Sequence, residues 1–170
     1  MNHILFFLIM ISFPLFASSS TFIKLEIKGN IGPASHIYLK KGFETAATQN
    51  ADMMLIVLDT PGGLSSSMRE MIQLITNSTF PVITYVSPKG AHAASAGTYL
   101  LYASHIAAMS PGTNLGAATP VNLMPTPMTQ ETNSSSSTVL EKKVINDAIA
   151  YIKSLAELND RNISWAIEAV

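Results

Sequence analysis

Cysteine is absent from this chain, which removes disulfide staples and any thiolate nucleophile or ligand. Charge is scarce and balanced: charged residues make up 12%, with 10 Lys+Arg against 11 Asp+Glu and a net charge of -1. Without a basic stripe to neutralise phosphates, nucleic acid is excluded as the main partner. None of the four histidines, His3, His36, His92 and His105, stands at a metal-ligand spacing such as His-Glu-x-x-His, so neither a metal site nor a cofactor is expected. Internal repeats are also lacking. The N-terminal apolar run, Ile4 to Ala17, is broken only by Ser12 and is short for a membrane span. Its length suits a signal-peptide core, and Ala17-Ser18-Ser19-Ser20 supplies small residues for cleavage. Residues 1–19 therefore read as a signal peptide, or failing cleavage as an N-terminal anchor. The remainder is expected on the periplasmic or another extracytoplasmic face, with membrane association open.

What is present is apolar sequence, 48% of 170 residues, enough for one domain with its own core. Thr21 to Lys28 alternates apolar and polar, the period of a half-buried strand. A turn from Gly29 to Pro33 leads to a helix over Ala34 to Thr48. Ala51 to Asp59 contains Met53-Met54-Leu55-Ile56-Val57-Leu58, a run that predicts a strand buried on both faces of a parallel sheet. A helix over Ser65 to Thr76 carries Met68, Met71, Ile72 and Ile75 on one side. Strand Pro81 to Val86 then runs toward Ser95, and Ala96 to Ala103 leaves it as a small-residue apolar helix. Ile106 to Met109 reads as a short buried strand, followed by a glycine-punctuated loop over Ser110 to Ala118. Residues of about 121–138 are rich in Pro, Ser, Thr and Asn and predict a mobile loop. Val139 to Leu158 forms a long amphipathic helix with Val144, Ala148, Tyr151, Ile152 and Leu155 on one face, and Ile163 to Val170 starts another. Strands alternating with helices define an α/β fold with a mostly parallel sheet and right-handed crossovers.

Ligands of such sheets bind at the carboxyl ends of strands. Three loops lie there in this reading: Asp59 to Gly63, Pro88 to Ser95, and Ser110 to Ala118. A serine at a strand-to-helix turn exposes its hydroxyl, as in the nucleophile elbow of hydrolases. The string Ala94-Ser95-Ala96-Gly97 lacks that motif's Gly-x-Ser-x-Gly pattern, and Ser95 could simply cap the helix. Gly62 and Gly63 let a carbonyl approach the backbone closely, and their N–H groups with that of Ala96 could hold an oxyanion. The plainer alternative for Pro61-Gly62-Gly63 is an ordinary turn.

Four strings carry a resemblance: Leu58-Asp59-Thr60-Pro61-Gly62-Gly63-Leu64, Ala93-Ala94-Ser95-Ala96-Gly97-Thr98-Tyr99, the stretch Ala108 to Ala118, and Asn146 to Ala156. The opening Ile27 to Ala34 agrees with them. Together they resemble the ClpP-class serine protease domain of NfeD-type membrane proteases, the partners of stomatin-like proteins. The resemblance covers Thr21 to Asn162. It implies a ClpP/crotonase-like fold for residues 20–170, a domain expected to be short at its C-terminal side relative to the family. It implies a serine–lysine dyad with Ser95 as nucleophile and Lys143 as base, an oxyanion hole at Gly62 and Gly63, and a peptide substrate. Apolar segments of a stomatin-like membrane protein are the substrate expected, and a homo-oligomer is the expected assembly.

A lysine acts as a base only when neutral, which burial against apolar walls or a neighbouring cation favours. Leu123, Met124 and Met128 could supply such walls, and Lys142 such a cation. Lys142 and His92 are the rival bases. His92 stands three residues before Ser95 and reads as a loop residue lining the cleft, while Asp59 reads as the cap of its own turn. Two other functions compete: a non-catalytic peptide- or partner-binding remnant, and a crotonase-like acyl-CoA enzyme, which export of the chain disfavours.

Overall fold

The computed structural model describes residues 20–121 and 134–170. The expected signal segment and the walls Leu123, Met124 and Met128 lie outside the described residues. In chain order the elements are β1 (Phe22–Lys28), α1 (Pro33–Thr48), β2 (Met53–Asp59), α2 (Ser65–Thr76), β3 (Val82–Val86) and β4 (His92–Ala94). They continue with α3 (Ala96–Ala103), β5 (Ile106–Met109), β6 (Asn114–Gly116), α4 (Ser134–Leu158) and α5 (Ile163–Glu168). Among the described residues no helix is long and apolar enough to cross a membrane.

A four-stranded sheet runs in the order β1-β2-β3-β5 with every pair parallel. Its strands obey the two-residue period: Leu25 and Ile27, Met54, Ile56 and Leu58, and Val82 and Val86 point to the helix side and are buried. The core is completed by Leu39, Met71, Ile72 and Ile75 from α1 and α2, Leu100 from α3, and Ile152 and Leu155 from α4. β4 and β6 form a second, two-stranded parallel sheet.

Several expectations are corrected. β2 is buried on one face only, because Leu55 and Val57 border a groove with Lys24, Glu26 and Tyr85 on the far face. β5 is an edge strand whose Ile106 is half-exposed. β3 does not run directly into Ser95; β4 intervenes, and His92 belongs to it rather than to a loop. The 110–118 loop contains β6, and α4 begins at Ser134 rather than Val139.

The segment between α4 and α5 secures the end of α3. Asn159 Nδ2 donates to Tyr102 O at 2.9 Å, and Arg161 Nη2 donates to Ser104 O at 2.7 Å. These donors satisfy carbonyls that a helix C-terminus leaves open, and the guanidinium suits the negative end of the helix dipole. α3, which starts at the candidate serine, is therefore held at its far end by the chain that follows α4.

Candidate active site

Ser95 joins β4 to α3 with φ 52° and ψ -118°. This backbone is strained for a residue with a Cβ, at a cost of about 1–3 kcal/mol, and persists only where its surroundings impose it. Those surroundings are specific. The Ser95 N–H donates to Gly116 O at 2.9 Å, and Ser95 O accepts from the Thr98 N–H at 2.9 Å. β4 is docked onto the end of β2, with the Thr60 N–H donating to His92 O at 2.7 Å and the Ala94 N–H donating to Thr60 O at 3.1 Å. Thr98 Oγ1 lies 2.8 Å from Ala93 O and 3.0 Å from Gly116 O, sharing one proton between them, and accepts from the Gly116 N–H at 2.9 Å. One buried hydroxyl thus ties β4, α3 and β6 together.

The glycines fit this turn closely. At Gly62, φ is +116° and a Cβ would stand 2.5 Å from Ser95 Cβ and 2.9 Å from its Oγ, so the bare backbone of Gly62 forms the floor beneath the serine. Thr60 fixes that floor, its Oγ1 accepting from the Gly62 N–H at 3.0 Å. At Gly63, φ is +155° and a Cβ would meet Ile31 O at 2.0 Å. Ile31 is hydrogen-bonded to the residues on either side of Gly63: its N–H donates to Gly62 O at 2.7 Å, and its O accepts from the Leu64 N–H at 2.9 Å. In a parallel bridge of that kind the N–H and C=O of Gly63 itself point away from Ile31. Among the described residues neither the Gly63 nor the Ala96 N–H is taken up by a backbone acceptor. The Ala96 N–H belongs to the first residue of a helix, where N–H groups are open and the dipole is positive.

Ser95, Gly63 and Ala96 line one cavity of about 310 Å³, together with Leu64, Met68, Tyr99 and Val144. Its walls are mostly apolar, and among the described residues its charged lining groups are Arg69 of α2 and Asp147 of α4. These two pair across the cavity, and the Arg69 guanidinium also lies 4.3 Å from the centroid of the Tyr151 ring. Tyr151 stacks on Tyr99 at 6.1 Å, and the Tyr99 hydroxyl donates to Ala118 O at 3.2 Å. Burial pushes the Tyr99 phenol up to about 12, against a smaller lowering by Arg69.

The other expected residues fall as follows. Lys143 is on α4, exposed, and not among the residues that line the cavity. At about 100° of rotation per residue, Lys143 stands about 40° from Asp147 around the helix, at the shoulder of the cavity-facing stripe, whereas Lys142 stands about 140° from it. His92 does not line the cavity. Its Nδ1 lies 3.1 Å from Asp59 Oδ1, and its backbone N–H donates to the same oxygen at 3.2 Å. Asp59 therefore holds β4 instead of capping its own turn. Sequence reasoning missed Thr60, Thr98 and the Arg69–Asp147 pair. The signal for the threonines was their place beside the glycine pair and one helical turn after Ser95.

A parallel α/β sheet with a strained serine elbow over a glycine floor, opening on an apolar cavity, belongs to the ClpP-like fold class, and solved protease domains of that fold superpose on this chain. The family model for the NfeD1b N-terminal domain matches residues 22–170, and the chain belongs to that family. Membrane-bound protease PH1510 of Pyrococcus horikoshii is 39% identical over 165 residues, which are 96% of this chain and 35% of that protein. Membrane protein NfeD1b of Bacillus subtilis is 36% identical over 103 residues, 60% of this chain and 23% of that protein. The chain thus spans about a third or less of the curated relatives it matches. Among solved structures, a serine-to-alanine variant of the 1510-N membrane-bound stomatin-specific protease superposes with a TM-score of 0.78 at 37% identity, covering 90% of this chain and 70% of that one. A lysine-to-alanine variant of the same protease, in complex with a substrate peptide, gives 0.77 at 37% identity over 90% of this chain and 67% of that one.

Proposed function

We propose that this chain is a serine endopeptidase in which Ser95 attacks a peptide carbonyl, Lys143 takes the serine proton and returns it to the leaving amine, and the Gly63 and Ala96 N–H groups hold the oxyanion. The observation that carries this reading is the strained Ser95 elbow, facing one cavity with both open N–H groups. An extended substrate would lie beside Gly63 as an added strand, since the N–H and C=O of that residue point away from Ile31. The largely apolar lining suits apolar segments of a membrane-associated protein, and the substrate proposed is a stomatin-like protein, as in the relative's description. Export to the extracytoplasmic face, a membrane-associated setting and a homo-oligomer belong to the same proposal.

One observation favours a second reading, a peptide-binding domain with its dyad unformed: Lys143 is exposed and outside the cavity lining. Labelling with a fluorophosphonate, followed by mass mapping, separates the two. The expected result is labelling at Ser95 that disappears in Ser95→Ala and falls at least 100-fold in Lys143→Ala, the scale of general-base catalysis. A folded chain that takes no label overturns the peptidase reading, and labelling that survives Lys143→Ala reopens Lys142 and His92.

A further inference from the structure

The Arg69–Asp147 pair is unexplained by the fold, which is already held by its core, and its side chains are 38% and 67% exposed. Exposed pairs of this kind contribute at most about 1 kcal/mol to stability. Its position is more telling than its strength. Asp147 is four residues after Lys143 on α4, and side chains at that spacing are neighbours on a helix. A free carboxylate there would pair with the lysine and hold it as an ammonium, which cannot accept a proton.

Resting on the reading of Lys143 as the base, we infer that Arg69 is a positioning residue that draws the Asp147 carboxylate across the cavity and so keeps the lysine available in its neutral form. Arg69 acts in two ways with the same sign. It occupies the carboxylate one helical turn from the lysine, and it adds a cation to the wall of the cavity at whose shoulder Lys143 stands, which disfavours a second cation. The Tyr151 face under its guanidinium fixes Arg69 in that place.

Among the described residues, the charged and titratable groups around Lys143 are few. Its own helix offers Glu141, Lys142 and Asp147 and, two turns on, the Tyr151 phenol that lies under Arg69. From α2 the cavity receives Arg69, while the neighbouring Glu70 is turned to His36 Nδ1 at 2.9 Å. From α3 it receives only the Tyr99 phenol, which donates to Ala118 O. α5 carries Glu168, and Glu131 lies outside the described residues.

The test is the pH dependence of the rate of fluorophosphonate labelling at Ser95 in the full chain. Arg69→Gln should move the rising limb up, and Asp147→Asn should move it down, each by on the order of half a pH unit. The double variant should return it close to the wild-type value, and Arg69→Lys, which keeps the charge, should restore most of it. A pair that merely fastens α4 predicts something else: both single variants lower the plateau and neither moves the limb. That result overturns the inference, and because Asp147→Asn and Arg69→Lys read the same limb, it stays open to failure if Arg69→Gln does not fold. Lys143→Ala separates the two proposals. Loss of labelling there with an unmoved limb in the Arg69 and Asp147 variants sinks only the role of Arg69. Undiminished labelling there, with the limb in place, sinks the lysine base and the role of Arg69 with it.

Discussion

The two walls of the Ser95 cavity are built by different means. On the serine wall the backbone does the positioning: Gly62 lies beneath Ser95, Gly116 O takes its N–H, and the buried Thr60 and Thr98 hydroxyls tie the neighbouring segments. On the α4 wall side chains do it, through an exposed ion pair, a guanidinium on a ring and a pair of stacked tyrosines. The difference teaches which half of the site is rigid. Backbone contacts admit no substitute without a change of path, whereas an exposed pair can be exchanged or re-paired for a fraction of a kcal/mol. On the proposed roles, the nucleophile is held by backbone and the base is tuned by side chains.

The comparison breaks most visibly on the serine wall. Gly63→Ala puts a Cβ 2.0 Å from Ile31 O at a φ of +155°, and the obstacle is backbone. We expect a loss on the order of 4 kcal/mol or more, read as failure to recover a cooperatively unfolding protein in urea. Gly62→Ala is next, since the Cβ meets Ser95 itself at 2.5 Å. It should cost roughly 2–4 kcal/mol and abolish labelling of whatever fraction folds. A Gly62→Ala chain that labels at the wild-type rate would mean that the glycine floor does not position the serine. Thr98→Val keeps the shape but removes the buried hydroxyl's bonds to the Gly116 N–H and to the carbonyls of Ala93 and Gly116, the last of which still holds the Ser95 N–H. Its expected cost is about 1–3 kcal/mol, visible in the urea midpoint.

The side-chain contacts between α3, α2 and α4 should respond more gently. Tyr99→Phe removes one hydrogen bond to Ala118 O, an expected loss of about 1 kcal/mol. The phenol also sets a pH dependence, because its value in the fold is raised from 10.0 to about 12 by burial. The folded state therefore holds its proton over that interval while the unfolded chain gives it up, so this contribution is full below pH 10 and is lost as the pH climbs to 12. Base titration of stability should show a steeper fall in that window for the wild type than for Tyr99→Phe; equal slopes would count against burial of the phenol. Smallest is the effect of Arg69→Gln on stability, expected below 1 kcal/mol.

Much of this architecture was legible in the sequence, because long periodic segments report their own surroundings. α2 was read with both of its ends, and β1, β2 and β5 were found from apolar runs or alternation. β4 and β6 escaped because each has only three residues, mostly small, and three residues carry no period. The one-sided burial of β2 escaped because Leu55 and Val57 are as apolar on the open face as Met54 and Ile56 are on the closed one. Within the site, small residues around Ser95 and the paired glycines pointed to the elbow, since close approach of backbone leaves a compositional mark. The threonine ties and the Asp59–His92 contact leave none, because any polar residue near a turn reads as a cap until its partner is seen.

The N–H of Ser95 is given to Gly116, which follows it in the chain, and its floor is Gly62, which precedes it. The strained turn is therefore closed by segments that arrive at different times as the polypeptide is made. Until β6 has emerged and docked beside β4, the Ser95 N–H lacks its acceptor. A chain interrupted before that step carries Ser95 without the contact that closes its turn, so the elbow is a late product of the fold.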